Sequence, residues 1–136
     1  MADWVGPINS GPAVGSAGAA TSNTKTLTCV SGSIKQVMLR YNGTCPVGTI
    51  VTTLATSGDH APAMNIVVLT NTKPTTPLQP RLPSQDNTGN NLLYAVGHAV
   101  VAPLETDDHL LLTVAGVNPG DSVDCWILYD DPRVFA

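Results

Sequence analysis

Asp107-Asp108-His109-Leu110-Leu111-Leu112-Thr113-Val114-Ala115-Gly116-Val117-Asn118-Pro119-Gly120-Asp121-Ser122-Val123-Asp124-Cys125-Trp126-Ile127-Leu128-Tyr129-Asp130 is the stretch whose reading decides the fold class. Two runs rich in aliphatic and β-branched residues, His109–Ala115 and Ser122–Tyr129, flank the turn signal Asn118-Pro119-Gly120-Asp121. In the second run Val123, Cys125 and Ile127 alternate with Ser122, Asp124 and Trp126. A period of two puts successive side chains on opposite faces of extended chain, as a half-buried strand requires. The turn residues supply positive φ and local hydrogen bonds between the strands.

Working outward, the same pattern recurs. Lys25–Val30, Ile34–Tyr41, Val47–Thr53, Met64–Thr70 and Leu92–Val101 are further β-branched or alternating runs. Ser31-Gly32-Ser33, Asn42-Gly43 and Ser57-Gly58-Asp59 punctuate them. No 11-residue window carries a helical apolar stripe with caps. Seven short strands separated by turns predict an all-β domain over residues 25–136: an antiparallel two-sheet sandwich, jelly-roll-like.

Residues 1–24 read differently. Fourteen of them are Gly, Ala, Ser or Pro, and neither period is present. Ordering such a segment costs much entropy and offers little surface to bury. It reads as a flexible, extended N-terminal arm, either a tail or an anchor tipped by Trp4, Val5 and Ile8. On that reading, removal of residues 1–24 leaves a folded domain. The stretch Asn71–Asn91 reads as a loop stiffened by Pro74, Pro77, Pro80 and Pro83, with Leu78, Arg81 and Leu82 available to a partner. A connection of that length is unusual in a compact domain, and it is either a crossover between sheets or a binding element.

Composition narrows the function. The chain has 136 residues, a single-domain length, with 43% hydrophobic and only 12% charged residues. Six Lys and Arg against ten Asp and Glu give a net charge of −4, with no basic cluster for nucleic acid or an anionic membrane. The first basic residue is Lys25, so a secretory n-region is missing and synthesis in a cytoplasm is expected. Cys29, Cys45 and Cys125 form no C-x-x-C pair and read as reduced thiols packed as small apolar groups, a Cys29–Cys45 bridge being the alternative.

Catalytic and metal signatures are weak. His60, His98 and His109 have no metal-ligand spacing. Asp59-His60 and Asp107-Asp108-His109 pair carboxylates with imidazoles, but neighbours on extended chain point apart. His98 reads as a mid-strand residue on the face of Tyr94 and Val96. No nucleophile elbow, P-loop or dinucleotide fingerprint occurs. Glu105–Asp108 and Asp130–Asp131 read as solvated acids in loops or strand ends. The expectation is a protein without catalytic residues, cofactor or metal.

The Asp107–Leu112 and Gly120–Asp130 segments, with the Gly/Ala/Ser-rich start and Thr-rich body, resemble the small β-sandwich decoration (cement) proteins of tailed-bacteriophage heads. The resemblance implies a non-enzymatic virion protein that binds the outside of a capsid lattice, often as a trimer. Its partners would be the major capsid protein or neighbouring virion subunits, contacted through Trp4, Val5, Ile8, Leu78, Arg81 and Leu82. The alternatives are another virion β-module (tail, fibre or major jelly-roll coat subunit), a carbohydrate-binding sandwich, or an enzyme.

Overall fold

The computed structural model describes residues 2–130 except 84, 86, 96, 97 and 100. Val96 and Asp131, which enter the readings above, lie outside the described residues. Eleven strands and no helix occur among the described residues: β1 (Ala2–Asn9), β2 (Ala20–Lys25), β3 (Val30–Asn42), β4 (Val51–Thr56), β5 (Asn65–Thr70), β6 (Arg81–Pro83), β7 (Leu93–Ala95), β8 (His98–Ala99), β9 (Val101–Asp108), β10 (Leu110–Val117) and β11 (Ser122–Asp130). One sheet has the order β1-β11-β3-β9-β6, the second β2-β10-β4-β5, and β7 and β8 form a separate hairpin. All pairings are antiparallel.

The alternation in the sequence decides which face closes. In β11, Val123, Cys125 and Ile127 are fully buried, whereas Trp126 and Leu128 point the other way. In β10, Leu110, Leu112, Val114 and Val117 are the buried set. Leu110 and Leu112 meet Val30, Ile34 and Val37 of β3, Leu54 of β4, Leu104 of β9 and Cys125 and Ile127 of β11, so buried residues of both sheets form one core. A second, smaller cluster of Ala13, Ala20, Cys45, Ile50, Val114, Val117 and Val123 closes one end. The all-β, two-sheet architecture expected from the sequence is therefore present.

Residues 2–25 are the main correction. The segment read as an arm supplies the strand at one edge of each sheet: β1 pairs with β11 and β2 with β10. Ser10 exchanges two hydrogen bonds with the Val123 backbone, its N–H donating to the carbonyl at 3.0 Å and its Oγ accepting from the N–H at 3.0 Å. Ala13 and Gly120–Asp121 are joined by backbone bonds of 2.9 Å on both sides of Ala13. The template strands provide partners for every second amide, and that offsets the ordering entropy that composition alone stresses. Small residues are here because the space is small: Ala13 and Ala20 are buried.

Other boundaries also moved. Lys25–Val30, read as a strand, is the crossing from β2 to β3, organised by Thr26, whose Oγ1 donates to the Thr28 carbonyl at 2.8 Å. Leu92–Val101, read as one strand, contains the β7–β8 hairpin and the start of β9. The acids Glu105, Asp107 and Asp108 lie within β9, and its inward face is Leu104, Thr106 and Asp108, too polar to register as a core strand. The proline-rich stretch is not a plain loop. Leu78 and Val37 exchange backbone hydrogen bonds of 2.8 Å, and β6 pairs with β9.

Candidate interaction surface

The outer face of β1, β11 and β3 carries an array of exposed aromatic and polar side chains. Register sets it out in rows: Trp4 beside Leu128 beside Gln36, then Trp126 beside Met38, then Asn9 beside Asp124 beside Arg40. Trp4 and Met38 are exposed at 49% and 38%. Trp4, Met38 and Trp126 line a slot of about 290 Å³. Next to it, a groove of about 560 Å³ runs between Trp126, Arg40 and Tyr41 on the sheet and Lys73, Pro74 and Thr75 of the proline-rich stretch.

The backbone of β1 makes room for this slot. Opposite Trp126 the β1–β11 register shifts at Gly6 and Pro7. Gly6 has φ of +130°, and a Cβ there would lie 2.6 Å from the Cys125 carbonyl oxygen and 3.2 Å from the Trp126 Cδ1. Only glycine lets β1 approach β11 so closely while its strand bulges past the indole.

A polar cluster borders the slot. The Arg40 guanidinium lies 5.1 Å from the centre of the Trp126 ring, within cation–π range. Its Nε and Nη2 donate to Asp124 Oδ2 at 3.1 and 2.7 Å. Asn42 Nδ2 donates to the same oxygen at 3.1 Å and Asn9 Nδ2 to Oδ1 at 2.7 Å. Burial works to raise the Asp124 pKa, but these donors outweigh it and hold the carboxyl below its ordinary range. The cluster therefore fixes Arg40 over Trp126 and ties β1, β11 and β3 together.

The residues expected to meet a partner divide into three groups. Trp4 is exposed on this face. Val5, Ile8 and Leu78 pack against the chain's own core, so their apolar surface is already largely committed. Arg81 and Leu82 are exposed on β6, at the opposite edge of the sheet from Trp4. Trp126, Met38 and Arg40 were missed as surface groups. The alternation that buries Cys125 and Ile127 forces Trp126 outward, and that signal was readable.

A second cluster sits at the end of the sandwich where β9 turns into β10. Asp108 Oδ1 accepts from Ser57 Oγ and the His109 N–H at 2.8 Å, and Oδ2 from the His60 N–H at 3.1 Å. Burial works to raise the Asp108 pKa, yet these donors lower it to about 2. The two aspartate–histidine pairs, read as pointing apart, are thus brought together by the 57–60 turn, with imidazole centres 6.4 Å apart. What converges on Asp108 is backbone N–H and one hydroxyl, the chemistry of a loop clamp. Among the described residues no group of three or more His, Cys, Asp or Glu is placed to hold a metal ion.

The cysteines are free thiols, with Cys45 and Cys125 buried. Burial pushes the Cys125 thiol up to about 12 and raises that of Cys45. Comparison with protein-family models, curated proteins and solved structures found no match to this chain.

Proposed function

We propose that this chain is a structural virion protein that binds and stabilises a capsid lattice, as a decoration, cement or minor coat component. One observation carries the reading. Setting aside β6 and the β7–β8 hairpin, the eight remaining strands in chain order run 1-8-3-6 in one sheet and 2-7-4-5 in the other. That order supports a jelly roll, an architecture used by viral coat subunits and by lectins. Architecture alone does not give function. The outer face of β1, β11 and β3 adds the chemistry, an aromatic slot with a fixed Arg–Asp pair of the kind that anchors protein–protein contacts. The resemblance to phage decoration proteins points the same way, and a trimer is the expected assembly.

The mechanism is stapling. A sandwich held rigid by its two sheets bridges neighbouring capsid subunits, and many weak contacts act together through multivalency. The test is to purify the particles of the virus that encodes the chain and image them with and without the protein. Expected are ordered, symmetric copies on the particle and earlier disruption of particles that lack them. Particles without any copies would sink the reading. Light scattering on the isolated protein should give three times the chain mass.

The second reading is a carbohydrate-binding sandwich, because Trp4 and Trp126 share one face. Against it, both Asp124 oxygens already accept from Asn9, Asn42 and Arg40. A glycan array separates the two.

A further inference from the structure

We propose that the free edge of β5 pairs antiparallel with β5 of a second copy of this chain, joining two four-stranded sheets into one of eight. Strand β5 is Asn65-Ile66-Val67-Val68-Leu69-Thr70, and it pairs only with β4. Its outward backbone groups follow from the register. The Asn71 N–H donates to the Ile50 carbonyl at 2.8 Å, and from there the pairs Val51–Thr70 to Leu54–Val67 run without a break. Hydrogen-bonded pairs alternate with unbonded ones along an antiparallel ladder. Val67 and Leu69 therefore spend their N–H and C=O on β4, and those of Val68 and Thr70 point away from it.

The other three sheet edges are defended, and this one is not. An exposed edge is a template for another chain, and proteins blunt it with bulges, prolines, charges or cover. β1 carries the bulge at Gly6 and Pro7. β2 is covered by Val14, which exchanges backbone bonds of 3.0 and 3.1 Å with Thr21, and it ends on Lys25. β6 is three residues long, follows Pro80 and contains Arg81 and Pro83. β5 has one irregularity, at Ile66, and past it no proline, glycine or charge. Among the described residues none bonds to the outward groups of Val68 and Thr70. Val68 is 53% exposed, and the run Ile66-Val67-Val68 has the β-branched composition that favours pairing.

A second β5 is the partner this edge fits. A two-fold axis through Leu69 sets Val68 of each copy opposite Thr70 of the other, so outward N–H and C=O groups meet at matched spacing from both sides. Leu69 then meets Leu69, and Val67 meets Asn71. Lys73, the nearest charge in sequence, falls opposite Asn65, so no like charges are brought together. A charged foreign strand gains nothing here, because the edge offers no charge to select it. Val67 packs at the margin of the core and Leu69 is half-buried beside it, and the added strand covers both. The Trp4 face lies on the other sheet and stays free. The inference does not rest on the coat reading: the contact is two-fold, and it doubles whatever closed unit forms elsewhere on the chain.

The test is amide hydrogen exchange on the full-length protein, read residue by residue by NMR over a dilution series. Leu69 is the internal control, since β4 holds its N–H at every concentration. Expected are Val68 and Thr70 amides that are slow in concentrated solution and speed up at least about tenfold on dilution, a factor equivalent to 1.4 kcal/mol. Light scattering over the same range should show the molecular mass doubling with concentration. Val68→Pro removes a donor that β4 does not use, and should give a folded chain with a fast Thr70 amide and no doubling. Val68→Lys keeps the N–H and charges the edge, and should do the same where proline disturbs the fold. Val68 and Thr70 amides that are fast throughout, or equally slow at every concentration in wild type and both variants, would overturn the proposal. So would protection that appears only when purified particles are added, which gives the edge to a different chain. A chain found on particles whose β5 amides stay fast removes this inference and leaves the coat reading standing. Amides that respond to dilution in a chain missing from particles do the reverse.

Discussion

Residues 2–25 and residues 110–130 perform the same task with opposite means. Each region contributes one strand to each sheet, and the two lie side by side, β1 on β11 and β2 on β10. The C-terminal pair holds the core with large side chains: Leu110, Leu112, Val114, Val123 and Ile127 are all buried. The N-terminal pair holds its place with backbone ladders, with Ser10, and with the small buried residues Ala13 and Ala20. One region is a template and the other is ordered by it. A strand laid on a finished edge needs hydrogen-bond partners and a close fit, not an apolar stripe of its own.

The strongest way to break this comparison is to remove the dependent half. Deleting residues 1–25 uncovers the edges of β10 and β11 and opens the end cluster at Ala13 and Ala20. The loss should be on the order of 5 kcal/mol or more, comparable with the whole stability of a small domain. The truncated chain should be unfolded or aggregated by circular dichroism and size-exclusion chromatography. A truncated protein with the melting temperature of the full chain would return residues 1–25 to the status of an arm.

The next effect distinguishes the two means directly. In the template pair, shrinking a side chain should hurt: Ile127→Ala leaves a void at a fully buried site and should cost about 2–5 kcal/mol. In the dependent pair, enlarging one should hurt: Ala20→Val overfills a site with 0% exposure and should cost about 1–3 kcal/mol. Urea unfolding of the two variants measures both. Ala20→Val with wild-type stability would mean that β2 is loosely packed and that small residues there reflect composition only.

These contrasts explain what could be read from the sequence. The strands of the template half were legible because their alternation is apolar against polar, as in Val123, Cys125 and Ile127. So were β3 and β5. What stayed hidden were strands whose inward face is small or polar. β9 buries Thr106 and Asp108, whose partners are the Val30 carbonyl and the 57–60 turn, and no local pattern announces partners that distant. β1 was obscured by Gly6 and Pro7, which interrupt its alternation and sit at the bulge. On the candidate surface, Trp4 was legible from its rarity. The outward turn of Trp126 was legible from the alternation, but its meeting with Trp4 required knowing that β1 runs beside β11, which is a fact of topology.

Acid should act on the fold through three aspartates, of which Asp124 also holds Asn9 of β1. The pKa values of Asp108, Asp121 and Asp124 lie below the ordinary value of 3.8 in the folded chain because each carboxylate is ringed by donors that outweigh its burial. A depressed folded pKa means the unfolded chain binds protons first, so the stability these groups contribute is complete above about pH 5 and fades as pH falls. For Asp108 it is lost between the ordinary carboxylate range and about 2. Urea midpoints at pH 6, 4, 3 and 2.5 should fall monotonically. Asp108→Asn should lie below wild type at pH 6 and converge on it in acid. Parallel curves for the two proteins would show that Asp108 is not a source of the pH dependence.

The smallest stability effect is expected at Trp4, a large residue of the dependent half that turns away from the core. Trp4 is 49% exposed, its strand is the last in its sheet, and its ring touches the outer face only. Trp4→Ala removes no inward contact, and the ladder from Ala2 to Val5 on β11 stays intact. Its cost should stay within about 1 kcal/mol, since half of the side chain already faces solvent. Val5→Ala, one residue on and turned inward against the core, should cost about 1–2 kcal/mol, so adjacent positions on one strand separate by face. Particle binding should rank them the other way, with Trp4→Ala weakening it and Val5→Ala leaving it unchanged at temperatures where that variant is folded. Equal stability losses at the two positions would mean that β1 is not seated in the observed register, and the slot built on that register would go with it.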